Sequence, residues 1–294
     1  MVASLAAFTV LELTTFVDAR LYAALAGGGI AVGIVGFLDD RSSLSARTRL
    51  IVHFLAATWA VAWISENPHL RVGDALTQFG WVAYVIPALG IVWFLNIFNF
   101  MDGIDGIAGS EAAFICAALA LISEIWNDDA SVSSAAIATA LASLGFVVWN
   151  WAPARIFMGD VGSGFLGLVI AVLGLESAQE TSSMLWTVLI LAGVFLADSS
   201  VTLIRRLLRG ESLVTAHRTH AYQRAARKIG HGKVTALVIA INCGWLLPCA
   251  VASVTWPAAA GRIAVVALAP LVALATVLGA GRAERRDGYE SRLI

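Results

Sequence analysis

Residues 96–109 read NIFNFMDGIDGIAG. They set Asn96, Asn99, Asp102 and Asp105 at the end of an apolar run that starts at Trp81 and holds no charge before Asp102. Three other stretches put similar groups at similar boundaries. GFLDDRSSL ends an apolar run on Asp39 and Asp40, RIFMGDVGSGFLG opens one with Phe157, Asp160 and Ser163, and AHRTHAYQRAARK places His217, His220, Tyr222 and Gln223 in a basic loop. Asp198 lies inside a run, about two turns from Arg205 and Arg206. Carboxylate oxygens suit Mg²⁺, which takes one or two of them and completes its shell with phosphate oxygens and water. Basic side chains suit phosphate anions. The chemistry these residue types could share is therefore the handling of phosphate esters.

Each group also has a plainer explanation. Asp102 and Asp105 could cap the following helix, and Asp160, between Gly159 and Gly162, could do the same. Asp39 and Asp40 could be a charged helix end, but two anions at a C-terminus oppose the helix dipole, and adjacent carboxylates repel unless a cation or proton intervenes. A carboxylate within a span, such as Asp198, is costly and points to function, with Arg205 at i+7 or a hydrogen bond within the helix bundle as its structural alternatives. His217 and His220 could simply be solvated, and the basic loop could anchor to anionic lipid. The segment GHGKV at 230–234 is not a phosphate loop, because it lacks the first glycine and the hydroxyl. Cys116, Cys243 and Cys249 lie in apolar runs and form no metal-type pair.

The elements that must position these groups follow from composition. The 294 residues are 59% hydrophobic and 13% charged, against about 25% charged in a soluble domain. This excludes a soluble globular protein and gives an all-α, polytopic transmembrane helix bundle, with residues 1–294 forming one integral-membrane domain. A span needs about 20 apolar residues. Ten candidates result: 1–17, 21–38, 50–65, 81–101, 106–126, 133–152, 162–177, 184–204, 234–254 and 260–280. One set of alternating loops, 39–49, 102–105, 153–161, 205–233 and 281–294, carries 16 of the 19 Lys and Arg residues. The other set has only Arg20, Arg71 and Arg262. The positive-inside rule assigns the first set, with Asp39, Asp40, Asp102, Asp105, Asp160 and both loop histidines, to the cytoplasmic face.

The ordered set GFLDDRSSL, NIFNFMDGIDG, FMGDVGS and HRTHAYQ resembles the polyprenyl-phosphate N-acetylhexosamine-1-phosphate transferases, a family that includes the phospho-MurNAc-pentapeptide translocase. The likeness runs from about residue 25 to 230 and is closest to the branch that primes O-antigen and similar surface glycans. It implies a multi-pass enzyme of the bacterial inner membrane. That enzyme moves a sugar 1-phosphate from a UDP-N-acetylhexosamine to undecaprenyl phosphate, releases UMP, uses Mg²⁺ (with Mn²⁺ as a substitute) and binds no nucleic acid. A homodimer is also expected. By the resemblance, Asp160 is the Mg²⁺ ligand and Asp39 and Asp40 lie near the acceptor phosphate. Asn99 and Asp102 support the centre, Asp105 contacts uracil, Phe157 stacks on it, His217 and His220 lie near the donor, and Arg218 contacts phosphate.

Two departures accompany the likeness. The family's first helix and the Pro-Arg-Gly-Gly-like loop after it have no counterpart, which gives the expectation of a shortened chain. The translocase-type triple histidine is also missing, which counts against a pentapeptide substrate. The favoured chemistry is direct in-line attack of the lipid phosphate on the β-phosphorus, with a phosphoryl-Asp39 or phosphoryl-Asp40 route as the alternative. The rival class is a secondary transporter. Transporter sites tend to lie at the midplane, often within repeats, whereas these carboxylates gather at one edge and no repeat is present.

Overall fold

The computed structural model describes residues 1–64, 70–72, 75–77, 81–212 and 217–283. The chain folds into helices α1 (Val2–Leu13), α2 (Ala19–Ser42), α3 (Ala46–Ile64), α4 (Val82–Met101), α5 (Ile107–Ile122), α6 (Ala130–Asn150), α7 (Gly159–Glu180), α8 (Ser183–Leu191), α9 (Gly193–Leu208), α10 (Ala221–Ile229), α11 (His231–Ile241), α12 (Leu247–Thr255) and α13 (Ala260–Val277). A short antiparallel hairpin, β1 (Leu70–Val72) with β2 (Ala75–Thr77), pairs Leu70 with Thr77 between α3 and α4.

Among the described residues, seven helical stretches are long and apolar enough to cross a membrane, or eight if α8 and α9 form one bent span. The chain is a multi-pass membrane protein, but the expected ten spans are not reached. Two expected spans fall short for separate reasons. α1 has 12 residues, about 18 Å of helix, and the first turns of α3 hold Arg47, Arg49 and His53. The span expected at 184–204 is broken at Ala192, where α8 and α9 meet with a bend of 76°.

Small residues let α7 sit between α2 and α4, and this packing positions the site. A methyl group on Gly36 of α2 would lie 2.6 Å from the Val161 nitrogen, and one on Gly167 of α7 would lie 2.8 Å from the Leu95 Cα. Backbone therefore meets backbone at both contacts, and Asp160 is carried against the ends of α2 and α4. α2 continues four residues past its expected end at 38, so Asp39 and Asp40 occupy its last turn. Ser43, in the left-handed region, then closes the helix through its N–H to the Asp39 carbonyl (2.9 Å).

α5 is joined to the turn that follows α11 by a buried polar contact, Asn242 Nδ2 donating to Glu111 Oε2 at 2.6 Å. Asn242 opens a π-helical turn, Asn242–Leu246, between α11 and α12. A hydrogen bond with one partner removed leaves a buried polar group at a cost of about 1–3 kcal/mol. Glu111→Leu should therefore lower the thermal midpoint of the detergent-solubilised protein, and Glu111→Gln, which keeps an acceptor, should not. Equal midpoints for the two variants would mean that the contact contributes nothing.

Candidate active site

Four carboxylates and one guanidinium form the centre. Arg49, one turn into α3, donates from Nη1 to Asp39 Oδ2 (2.7 Å) and to Asp160 Oδ2 (3.3 Å). The other Asp39 oxygen accepts the Leu44 N–H at 2.6 Å. Asp40 accepts the Asp160 N–H (3.2 Å), so it caps α7. Asn99 in the last turn of α4 donates from Nδ2 to Asp160 Oδ1 (2.7 Å) and to Ser163 Oγ (3.3 Å). Asp39, Asp40, Asn99 and Asp160 are thus brought together from three helices, as the motifs suggested. Asp102 lies just beyond α4. Burial first, then the negative charges of Asp160 and Asp40, push its carboxyl up to about 7.

This crowding has a measurable consequence. A carboxyl raised from its usual 3.8 to about 7 holds its proton in the folded protein over a range where the unfolded chain has lost it. Its contribution is most favourable below the unfolded value and is lost as pH rises towards 7. Without divalent cations, the thermal midpoint should fall between pH 4 and 7 more steeply in wild type than in Asp102→Asn. Parallel pH profiles would show that Asp102 is not under this strain.

Two cavities meet at Asn99 and Asp160. The first, of about 360 Å³, is walled by α2, α3, α4, α7 and α9, with Val35, Leu50, Trp93 and Leu203 on its apolar surface and Arg49 and His53 facing it. The second, of about 380 Å³, is lined by Asp102, Asp105, Asn150, Phe157 and His231 as well as the shared pair. Phe157 presents its ring to the surroundings, 78% exposed. Asn150 fastens the loop beneath it, accepting the Gly106 N–H (2.9 Å) and donating to the Ile156 carbonyl (2.7 Å). Asp105 accepts the Ala154 N–H at 3.2 Å.

The loop histidines lie elsewhere. His220 is buried, its Nδ1 is 3.3 Å from Asp198 Oδ1, and its ring stacks on His217 with centroids 5.0 Å apart. Burial, then His220 and Arg206, push His217 down to about 4. Neither histidine lines the two cavities, and Arg218 is exposed beside them. Asp198 is not paired with Arg205, which donates to the Thr276 and Ala280 carbonyls. Asp198 instead accepts the Ala221 and Tyr222 N–H groups, both at 2.9 Å, and so caps α10. Tyr222 in turn donates to the Phe100 carbonyl at 3.0 Å. This intramembrane carboxylate holds the basic loop against the end of α4.

Sequence reasoning missed Arg49, His53, Asn150 and His231 as site residues. From the sequence alone Arg49 counts only towards the charge bias. Its ten-residue spacing from Asp39 across a helical hairpin was a usable signal, as was the shared face of Arg49 and His53 at i and i+4.

Among the described residues, no group of three or more His, Cys, Asp and Glu forms an all-protein metal cage. The oxygen donors at Asp160, with Asn99 beside it and other carboxylates near, do fit Mg²⁺, which leaves most of its shell to phosphate and water.

A family model for glycosyl transferase family 4 matches residues 22–178. A protein of Bacillus subtilis (strain 168) named "Probable undecaprenyl-phosphate N-acetylglucosaminyl 1-phosphate transferase" is 29% identical over 219 residues, 73% of this chain and 61% of that protein. A phospho-N-acetylmuramoyl-pentapeptide-transferase of Thermosynechococcus vestitus is 34% identical over 56% of this chain and 45% of its own length. One of Mycolicibacterium gilvum is 28% identical over 74% and 71%. The chain thus spans less than two thirds of the first two relatives. The family match contains Asp39, Asp40, Asn99, Asp102, Asp105, Phe157 and Asp160 and stops before the histidine loop. With more than half of its residues inside that match, the chain belongs to glycosyl transferase family 4.

Proposed function

We propose that this protein transfers an N-acetylhexosamine 1-phosphate from a UDP-sugar to undecaprenyl phosphate at the cytoplasmic face of a bacterial inner membrane, releasing UMP. The product is the lipid-diphosphate-sugar that primes a surface glycan. The observation that carries the reading is the meeting of an apolar groove and a polar cavity at Asn99 and Asp160. A lipid phosphate fits the first and a nucleotide fits the second, so the two phosphates would converge on that pair. The relatives' names support the reaction class, and the basic residues in the segments that meet at the site's end of the bundle, Arg41, Arg47, Arg49, Arg155 and those of 205–233, support the orientation.

Asp160, with Asn99 beside it, would hold Mg²⁺, which when bound supplies charge neutralisation between the two phosphates. Arg49 faces the groove and can turn from Asp160 to the acceptor phosphate while keeping Asp39. That phosphate is largely dianionic at pH 7, since its second pKa is about 6, so it attacks with little help from a base. Both Asp39 oxygens are already hydrogen-bonded, to Arg49 and to Leu44, which favours direct attack over a phosphoryl-Asp39 intermediate. Phe157 offers a stacking face to the uracil ring, and Asp105 a hydrogen-bond acceptor. The test is a panel of UDP-sugars with the purified protein in detergent. UMP release that requires both polyprenyl phosphate and Mg²⁺ is expected, and its failure with every UDP-N-acetylhexosamine would overturn the proposal.

A further inference from the structure

The geometry points to His231 as a positioning residue that sets Asp105 for recognition of a nucleobase imide; this rests on the uridine-nucleotide reading above. His231 opens α11 on the wall of the polar cavity, with its side chain 46% exposed. The loop histidines are turned to Asp198 and to each other, so among the described residues His231 is the imidazole that lines this cavity.

Its Nδ1 lies 3.3 Å from Asp105 Oδ1 and 3.4 Å from the Asp105 backbone nitrogen. One ring nitrogen cannot serve both. With a proton on Nδ1 it donates to the carboxylate; with the proton on Nε2 it accepts the backbone N–H. The rest of Asp105 is fixed: Oδ2 accepts the Ala154 N–H (3.2 Å) and the carbonyl accepts the Thr235 hydroxyl (2.9 Å). Oδ1 is therefore the oxygen whose partner can withdraw by a change of tautomer.

A uracil imide N–H that donates to Oδ1 replaces the imidazole there. His231 then accepts the Asp105 N–H and keeps the segment ahead of α5 in place. Cytosine carries a lone pair at the matching ring nitrogen and would face the carboxylate with no proton between them. The exchange thus favours uracil over cytosine, because His231 accepts the Asp105 N–H only once a uracil imide has taken its place at Oδ1.

The test uses the full-length protein in detergent, with UMP and CMP binding measured by titration calorimetry and turnover followed with a UDP-sugar and polyprenyl phosphate. One hydrogen bond is worth roughly 2- to 13-fold in affinity. His231→Ala should weaken UMP binding by about that factor and raise the donor KM in parallel. CMP binding, the acceptor KM and kcat should stay within about twofold. His231→Asn should restore UMP binding, because its amide can donate or accept near the Nδ1 position, and His231→Ser provides a second truncation. Unchanged UMP affinity in both truncations, or equal losses for UMP and CMP, would overturn the role of His231 while wild-type turnover preserved the parent reading. A wild type that neither binds UMP nor releases it would overturn both.

Discussion

Asp160→Asn is expected to abolish transfer while leaving the protein folded. The substitution keeps the shape of the side chain and an oxygen that can accept from Asn99 Nδ2, now at 2.7 Å. Arg49 loses one partner and keeps the shorter contact to Asp39 at 2.7 Å. What disappears is the anionic oxygen at the junction of the two cavities. Removing a single preorganised electrostatic contact costs roughly 100- to 1,000-fold in turnover in well-studied enzymes, and a metal ligand should cost at least as much. Turnover measured across a Mg²⁺ titration gives the answer. A rate near wild type at limiting Mg²⁺ would remove Asp160 from the centre.

The second large effect is expected at Phe157. A ring that is 78% exposed contributes little to folding, so Phe157→Ala should leave the thermal midpoint close to wild type. Base–aromatic stacking is worth about 1–3 kcal/mol, which corresponds to roughly a 5- to 150-fold loss in kcat/KM for the UDP-sugar. The acceptor kcat/KM, measured at saturating donor, should change far less, because Phe157 lines the polar cavity and not the apolar groove. Equal losses for both substrates would show that the ring supports the fold of the centre instead.

Much of this architecture was legible from patterning, because a bilayer imposes one strong rule on sequence. The apolar runs located α2, α4, α5, α6 and α7 to within a few residues. Hydropathy marks where charge begins, not where hydrogen bonding stops, so the apolar run ends at 38 while α2 continues through Asp39 and Asp40, the charged helix end that the sequence offered as their plainer explanation. The hairpin at 70–77 was not visible, since its short strands lie between runs and carry no membrane signal. The convergence of Asp39, Asp40, Asn99 and Asp160 follows from three motifs that each sit where an apolar run meets a polar boundary. What joins them does not follow from that placement. The link from Arg49 to Asp39 and Asp160 depends on how α2, α3 and α7 meet, and the close approach at Gly36 and Gly167 depends on which faces meet.

Asp198 shows the same boundary between pattern and geometry. A carboxylate inside a span is expensive, and Asp198 meets that cost through structural hydrogen bonds within the bundle. They cap α10, an element that follows Asp198 by more than twenty residues. Hydropathy could flag the cost and could not name the partner. His220 is turned inward by that same contact, which is why a histidine expected near the donor lies outside both cavities, whereas His231, set aside with the segment GHGKV, lines one of them.

The central claim is that a phosphorus atom travels with the sugar to the lipid. The most direct measurement uses a UDP-N-acetylhexosamine labelled with ³²P at the β-phosphorus, incubated with the purified protein, Mg²⁺ and undecaprenyl phosphate, followed by separation of lipid from aqueous products. The proposed reaction puts the label in the lipid together with the sugar and leaves unlabelled UMP in water. Label retained in water-soluble UDP, with sugar alone on the lipid, would contradict it.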